Sequence, residues 1–196
     1  MNKITPEFIK AYQHSVQHDL GQPHTGGTNW QHAERIAPVF YEILEIAKPK
    51  TMLEIGFNAG ASALLFLMID DTIILDSVDI VDNMRSHSFL CSKYMHCFFH
   101  IDSSKITGEE WLSSEYDLIF IDGDHSEEAV IRDIKTSLKF NPKYLLFDDV
   151  RHPSHSYIER IITQDFKEQL EVVKLWEFND IWEGYSMALC KIKNNE

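Results

Sequence analysis

Thr51-Met-Leu-Glu-Ile-Gly-Phe-Asn-Ala-Gly-Ala-Ser62 is the stretch on which the reading of the chain turns. Thr51 to Ile55 reads as a short buried strand, and Gly56 and Gly60 turn it sharply into an apolar helix, Ala61 to Ile69. A glycine-rich turn between a strand and a helix lets a ligand approach bare backbone. The helix N-terminus offers that ligand unpaired N–H groups and the positive end of its dipole. Glu54, at the end of the strand, is an acid that a phosphate-binding loop does not need. The spacing Glu54-x-Gly56-x-x-x-Gly60 also departs from the Gly-x-Gly-x-x-Gly dinucleotide fingerprint, because Asn58 stands where a glycine belongs. It lacks the Gly-Lys-Ser/Thr of a phosphate loop as well. The turn is therefore expected to hold a small cofactor that is not a simple pyrophosphate.

On the N-terminal side, Ile36, Val39, Phe40, Ile43, Leu44 and Ala47 fall at helical spacing, with Pro38 expected to kink this helix or to start its main segment. Residues 1–29 hold a short helix, Glu7 to His18, and a loop with Pro23 and Gly26-Gly27. They read as an N-terminal arm, loosely packed or serving as a lid, set before a domain spanning 30–196. On the C-terminal side a second strand, Ile73 to Val78, ends at Asp79. A helix over Asp82 to Tyr94 and a strand over Cys97 to Ile101 lead to Asp102. Gly108 to Ser114 reads as a brief helix, and Tyr116 to Asp122 as a buried strand. Asp124 and Glu127 look like a capping pair for a helix carrying Val130, Ile134 and Leu138. After the break at Asn141-Pro142, a strand over Tyr144 to Phe147 ends at Asp148-Asp149, and a helix covers Tyr157 to Leu170. Two strands, Val172 to Phe178 and Tyr185 to Ile192, close the chain and should pair antiparallel. Alternating strand and helix units predict an α/β fold, a mostly parallel sheet with helices on both faces and a terminal antiparallel hairpin.

The chain has 196 residues, 44% of them hydrophobic and 25% charged, which suits a single soluble globular domain. Lys plus Arg is 18 and Asp plus Glu is 31, so the formal net charge is 18 − 31 = −13. No basic run offsets this, and no nucleic-acid partner is expected. The three cysteines do not form a disulfide scaffold, which favours a reducing cytoplasm. No apolar run has the length of a signal peptide or a membrane span, so no membrane association is expected.

In open α/β sheets, ligands bind outside the C-terminal ends of the strands. Glu54, Asp79, Asp102, Asp122 and Asp148-Asp149 all fall at such ends. A carboxylate at Asp79 is suited to both hydroxyls of a ribose, with solvated or structural use as the plain alternative. Asp122, Asp148 and Asp149 bring three like charges to one place, which calls for protons or for a hard divalent cation such as Mg²⁺. Capping of the following segment by Asp148-Asp149, with no ion, is the competing reading. His125 lies three residues after Asp122 and is a candidate base for a hydroxyl proton, or a helix-start histidine bonded to backbone. Trp176, Phe178, Trp182 and Tyr185 gather around the terminal hairpin, where burial, a homodimer contact or an acceptor wall would each account for them.

These features resemble the class I S-adenosylmethionine-dependent methyltransferases over roughly residues 30 to 192. The segment Phe120-Ile-Asp-Gly-Asp-His125 resembles the small O-methyltransferase-like branch. The resemblance implies a Rossmann-like seven-stranded sheet and S-adenosyl-L-methionine as cofactor. By the same resemblance Glu54, Gly56, Asn58 and Gly60, with Phe57 and Ser62 of the same turn, line the methionine part. Asp79 holds the ribose, Asp102 and Ser103 border the adenine, and Ile80 and Asp122 complete the cofactor contacts. The metal-dependent members imply a divalent ion on Asp122, Asp148 and Asp149, with His125 and Asp122 as catalytic groups and a small-molecule hydroxyl as acceptor. A module that keeps the cofactor fold without catalysis is the alternative. The chain departs from the family at Asn141-Pro142-Lys143, which replaces a Pro-Gly-Gly or similar turn.

Overall fold

The computed structural model describes residues 3–20, 30–106 and 112–193. Strand β1 (Thr51–Ile55) pairs in parallel with β2 (Ile74–Asp79) on one side and with β4 (Leu118–Ile121) on the other. Beyond β2 lies β3 (His96–His100), and beyond β4 lies β5 (Tyr144–Phe147), both parallel. The last two strands, β6 (Leu170–Glu177) and β7 (Ser186–Ile192), form the antiparallel hairpin, with β7 against β5. The seven-stranded order is β3-β2-β1-β4-β5-β7-β6. The order reverses between β1 and β4, where such sheets open a crevice.

Side chains alternate along these strands and feed two separate cores. Met52, Phe120 and Leu146 join the layer beneath α1 (Pro6–His18), α2 (Ala33–Ala47) and α3 (Ala61–Ile69). Leu53, Ile55, Ile119, Ile121, Leu145 and Phe147 join the opposite layer. That layer packs under α5 (Glu127–Leu138) and α6 (Tyr157–Arg160), while α4 (Met84–Lys93) flanks β3. Both faces are covered, so β4 and β5 are apolar on both sides, whereas β1, β2 and β3 carry polar residues among their apolar ones, Glu54 and Ser77 among them. Helix α3 is apolar all round because the sheet lies on one side and α1 and α2 close the other.

Several sequence-based expectations change. Helix α1 is not a loose arm, since Ile9, Tyr12 and Val16 are buried and the Tyr12 hydroxyl donates to the Ala61 carbonyl at 3.2 Å. The lid reading rests largely on 21–29, outside the described residues, as does most of the brief helix expected near residue 108. Its described end, Leu112 to Ser114, is not helical. Pro38 does not start α2, which begins five residues earlier and runs through it. Ser126, not Asp124, caps α5: its Oγ accepts the Ala129 N–H at 3.4 Å, and Asp124 in turn accepts the Ser126 N–H at 3.0 Å. The expected long helix after β5 is short, because α6 widens into a π turn over Ile161–Asp165 and ends. Asn141 takes a positive φ of 47° and so fills the left-handed turn position that favours glycine. Trp176, Phe178 and Tyr185 are buried in the chain's own core, which accounts for their clustering. Among the described residues, no helix is long and apolar enough to cross a membrane.

Candidate active site

The C-terminal ends of all five parallel strands open into one cavity of about 580 Å³. Gly56 and Asn58 come from β1, Asp79 to Val81 from β2, and Asp102 and Ser103 from β3. Asp122 to His125 follow β4, and Asp148 and Asp149 follow β5.

The first turn is shaped by its close approach to the β4 exit. Gly56 has φ of 99°, and a Cβ added there would lie 2.0 Å from the Asp122 carbonyl oxygen. Asn58 follows with φ of 45°, and its N–H donates to Asp79 Oδ2 at 2.7 Å. The other Asp79 oxygen accepts the Val81 N–H at 2.8 Å. One carboxylate therefore ties the glycine turn to the β2 exit while keeping its remaining lone pairs on the cavity. Beside it, Ile80 and Val81 are exposed apolar side chains on the cavity wall, 67% and 58% accessible. They offer a flat ring an apolar surface next to a polar anchor. His100 Nε2 bonds the Ile80 carbonyl at 2.8 Å and steadies this edge.

Glu54 is placed differently from the expectation. It is fully buried and does not line the cavity: Ser62 Oγ donates to Oε1, and Ser77 Oγ donates to Oε2 at 2.8 Å. Strand register puts Ser77 beside it, and His96 Nε2 extends the chain to Ser77 Oγ at 3.0 Å. Phe57, Gly60 and Ser62 also lie off the cavity wall. Phe57 is a buried ring packed against Phe98 and His96, and a Cβ on Gly60 would fall 2.6 Å from it. These four residues support the turn from below.

Burial raises the Glu54 carboxyl from its ordinary 4.5 to about 7 and lowers the His96 imidazole to about 4. A raised acid stabilises the fold fully below pH 4.5 and loses that contribution as pH rises through 7, a change worth about 3 kcal/mol. His96 works in the opposite sense, contributing above pH 6.5 and losing it as pH falls toward 4. Glu54→Gln removes only the first effect. Urea unfolding at pH 5 and pH 8 should show the variant gaining about 2–3 kcal/mol over the parent on moving to the higher pH. An unchanged difference would mean that Glu54 titrates normally.

The β3 exit is polar and self-paired. Asp102 accepts the Ser104 N–H at 2.8 Å; the Ser104 hydroxyl first and this N–H second hold its carboxyl below the usual range, and Ser103 Oγ donates to Asp133 Oδ1 at 2.8 Å. Arg132, on α5, reaches the same wall and was not anticipated from the sequence. Its only signal there is a cation one residue before a buried acid.

The β4 and β5 exits concentrate negative charge. Asp148 is buried, and Asp122 is one-fifth exposed at the cavity floor. Desolvation followed by the charge of Asp148 raises Asp122 well above the carboxylate range. Asp148 is raised by desolvation and by Asp149. Asp149 has φ of 53°, a strained conformation that turns it toward the cavity rim. Desolvation lowers the His125 imidazole and favours its neutral form, and its Nε2 lies 3.7 Å from Asp122 Oδ1. Four buried polar atoms here have no hydrogen-bond partner: His125 Nε2, Asp148 Oδ1, Asp149 Oδ1 and the Tyr185 hydroxyl. Three of these atoms belong to residues that line the cavity, and orphaned polar atoms there mark a place that expects a ligand, an ion or water. Among the described residues, ligand atoms lie within 4.8 Å of one another in two sets, Asp122–His125–Asp148 and His125–Asp149–His155. Both sets draw in His125, and the three acids alone do not form one.

A protein-family model described as a methyltransferase domain matches residues 53–150, the segment from β1 to just past β5. No curated protein matches the chain. Among solved structures, the O-methyltransferase from Bacillus cereus in complex with SAH is similar with a TM-score of 0.66 and 14% identity, covering 98% of this chain and 94% of that one. The SAH-bound Podospora anserina methyltransferase PaMTH1 has a TM-score of 0.65 and 16% identity, covering 97% and 89%. The N-methyltransferase NodS from Bradyrhizobium japonicum WM9 has a TM-score of 0.64 and 16% identity, covering 85% and 98%. At such identities the likeness is one of fold, and the fold serves both oxygen and nitrogen acceptors.

Proposed function

This chain belongs to the methyltransferase-domain family, and we propose that it transfers the methyl group of S-adenosyl-L-methionine to a hydroxyl of a small molecule. The observation that carries the reading is the acid-rimmed cavity in which Asp79, pinned by Asn58 and Val81, stands beside the exposed Ile80. Asp79 holds the ribose hydroxyls, Ile80 packs on the adenine, and Asp102 and Ser103 border its edge. Gly56 and Asn58 leave bare backbone for the methionine part, with Glu54, Phe57, Gly60 and Ser62 keeping the turn in shape. A sulfonium charge is favoured by the surrounding carboxylates.

The acceptor enters over the β4 and β5 exits. Its oxygen attacks the methyl carbon in line, the carbon–sulfur bond breaks, and the sulfonium becomes a neutral thioether. The hydroxyl proton passes to His125 Nε2, which is buried, unpaired and held neutral by desolvation. Asp122 stands 3.7 Å from that nitrogen and steadies the imidazolium formed. Asp122, Asp148 and Asp149 would hold a hard divalent cation such as Mg²⁺ after a shift of side chains, since two of their buried oxygens lack partners but the three acids do not bring ligand atoms within 4.8 Å of one another as they stand. Such an ion would lower the acceptor's pKa. The small-molecule acceptor and the absence of a nucleic-acid or membrane partner remain part of this reading, on the net charge of −13.

The test is transfer of labelled methyl to a panel of phenols, catechols and sugars, with amines and thiols as controls. O-methylated product is expected, with turnover reduced about 10²–10⁴-fold in His125→Ala. Label found only on nitrogen or sulfur would overturn the hydroxyl assignment. Cofactor binding without transfer to any acceptor would favour the non-catalytic module.

A further inference from the structure

The family resemblance points to a hard ion on three acids, yet the same rim carries a second donor set of different chemistry. We propose that His125, Asp149 and His155 form a site for a nitrogen-preferring divalent ion of the Zn²⁺, Co²⁺ or Ni²⁺ kind. His125 lies in the loop between β4 and α5, and His155 ends the 3₁₀ turn Pro153–His155 after β5. Their rings stack at 5.1 Å with 26° between planes, and each offers a ring nitrogen within 4.8 Å of the other and of an Asp149 oxygen.

Three further observations support a built site. His125 Nε2 and Asp149 Oδ1 are buried and have no hydrogen-bond partner. Tyr157 joins the two histidine-bearing segments: its hydroxyl donates to the His125 carbonyl and lies 3.4 Å from His155 Nδ1. A phenol has one proton, already given to that carbonyl, so toward His155 it accepts, and Nδ1 carries the hydrogen. The lone pair of a neutral His155 is then on Nε2, free to coordinate. A hydrogen bond to the second ring nitrogen is the usual way a ligating histidine is oriented. Lastly, Asp149 takes a left-handed backbone conformation, and one of its carboxylate oxygens lies within 4.8 Å of a nitrogen of each ring.

The donor set decides the ion. Two imidazoles and one carboxylate suit borderline metals, whereas Mg²⁺ and Ca²⁺ take oxygen ligands. Tetrahedral coordination at about 2.1 Å sets ligand atoms about 3.4 Å apart, closer than the 4.8 Å within which one atom of each residue lies, so binding would draw the three side chains together and turn one ring relative to the other. Three protein ligands leave a position open at the cavity mouth. The set shares Asp149 with the acid triad, so one ion excludes the other, and coordination of His125 withdraws it as a base. The inference does not depend on the methyl-donor reading.

The experiment is a titration of the metal-free full chain with CoCl₂, followed by its visible absorption, with ZnCl₂ and MgCl₂ as competitors. One Co²⁺ per chain is expected, displaced by Zn²⁺ but not by a large excess of Mg²⁺. His155→Ala should weaken Co²⁺ at least about 30-fold, the lower range for losing a ligand or its support. Its far-ultraviolet circular dichroism and its affinity for S-adenosylhomocysteine should stay as in the parent. Displacement by Mg²⁺ at comparable concentration, or Co²⁺ binding unaffected in His155→Ala, would overturn the proposal and leave the acid triad standing. Failure of every cation to bind would remove both metal readings while leaving the cofactor reading to its own test.

Discussion

Gly56→Ala is expected to cost at least about 3–4 kcal/mol of stability, near the upper end for a single substitution. Two effects add. The φ of 99° is a conformation that residues with a Cβ rarely adopt, and the new methyl would sit 2.0 Å from the Asp122 carbonyl oxygen and 2.8 Å from the Gly123 Cα. Neither neighbour is a flexible side-chain end that can swing away. The Gly56 N–H is bonded to the Val78 carbonyl at 2.9 Å, and the Asp122 N–H to the Ile55 carbonyl at 2.8 Å, so relief would require breaking the β1 pairing on either side. For a chain of this size the melting temperature should fall by roughly 6–16 °C. Gly123→Ala is the matched control: its Cβ would meet Ile55 Cγ2 at 3.5 Å, Asp133 Oδ2 at 3.6 Å and the Ile55 carbonyl oxygen at 3.7 Å, all ordinary contacts. It should stay within about 1 kcal/mol of the parent. Equal stability of the two variants by urea unfolding would contradict the close approach between the β1 and β4 exits.

Asp79→Ala is expected to weaken S-adenosylhomocysteine binding by about 100-fold or more while the chain stays folded. Two hydrogen bonds from ribose hydroxyls to a carboxylate are each worth about 1.5–3 kcal/mol. The same carboxylate holds the Asn58 and Val81 N–H groups, so its removal also loosens the turn that faces the methionine part. Asp79→Asn separates these contributions. Its single carbonyl oxygen can keep one of the two backbone donors, so the loss should be intermediate. Calorimetric titration of the three proteins measures this directly, and unchanged affinity in Asp79→Ala would remove Asp79 from the site.

The fold was legible where punctuation and periodicity agree. β1 and α3 have the bounds that the apolar run and its two glycines predict. The parallel sheet and the closing hairpin follow from alternating units and a loop too short for a crossover helix, whereas the order of the strands comes from the structure alone. Local competition hid other details. Asp124 and Ser126 are both capping residues two positions apart, and only the three-dimensional turn shows one bonded to the other. The π turn after α6 leaves no mark in the spacing of apolar residues.

The site was legible as a set of strand ends but not in the direction of each side chain. Glu54 ends a strand as Asp79 does, yet strand register sets it beside Ser77, and Ser62 meets it from α3. That pairing depends on the register of β2, which no motif encodes. His155 sits thirty positions from His125, and the docking of Tyr157 on the β4–α5 loop brings the two together. Arg132 arrives through the rotation of α5, which places one of its polar residues on the cavity.

The central claim is that the cavity at the ends of the five parallel strands, with its glycine turn at Thr51 to Ser62, holds the methyl donor. Calorimetric titration of the unmodified chain with S-adenosylhomocysteine tests it most directly. Saturable binding at one site per chain, accompanied by a rise in melting temperature, is the predicted result. The absence of both heat and thermal stabilisation at millimolar ligand would contradict it.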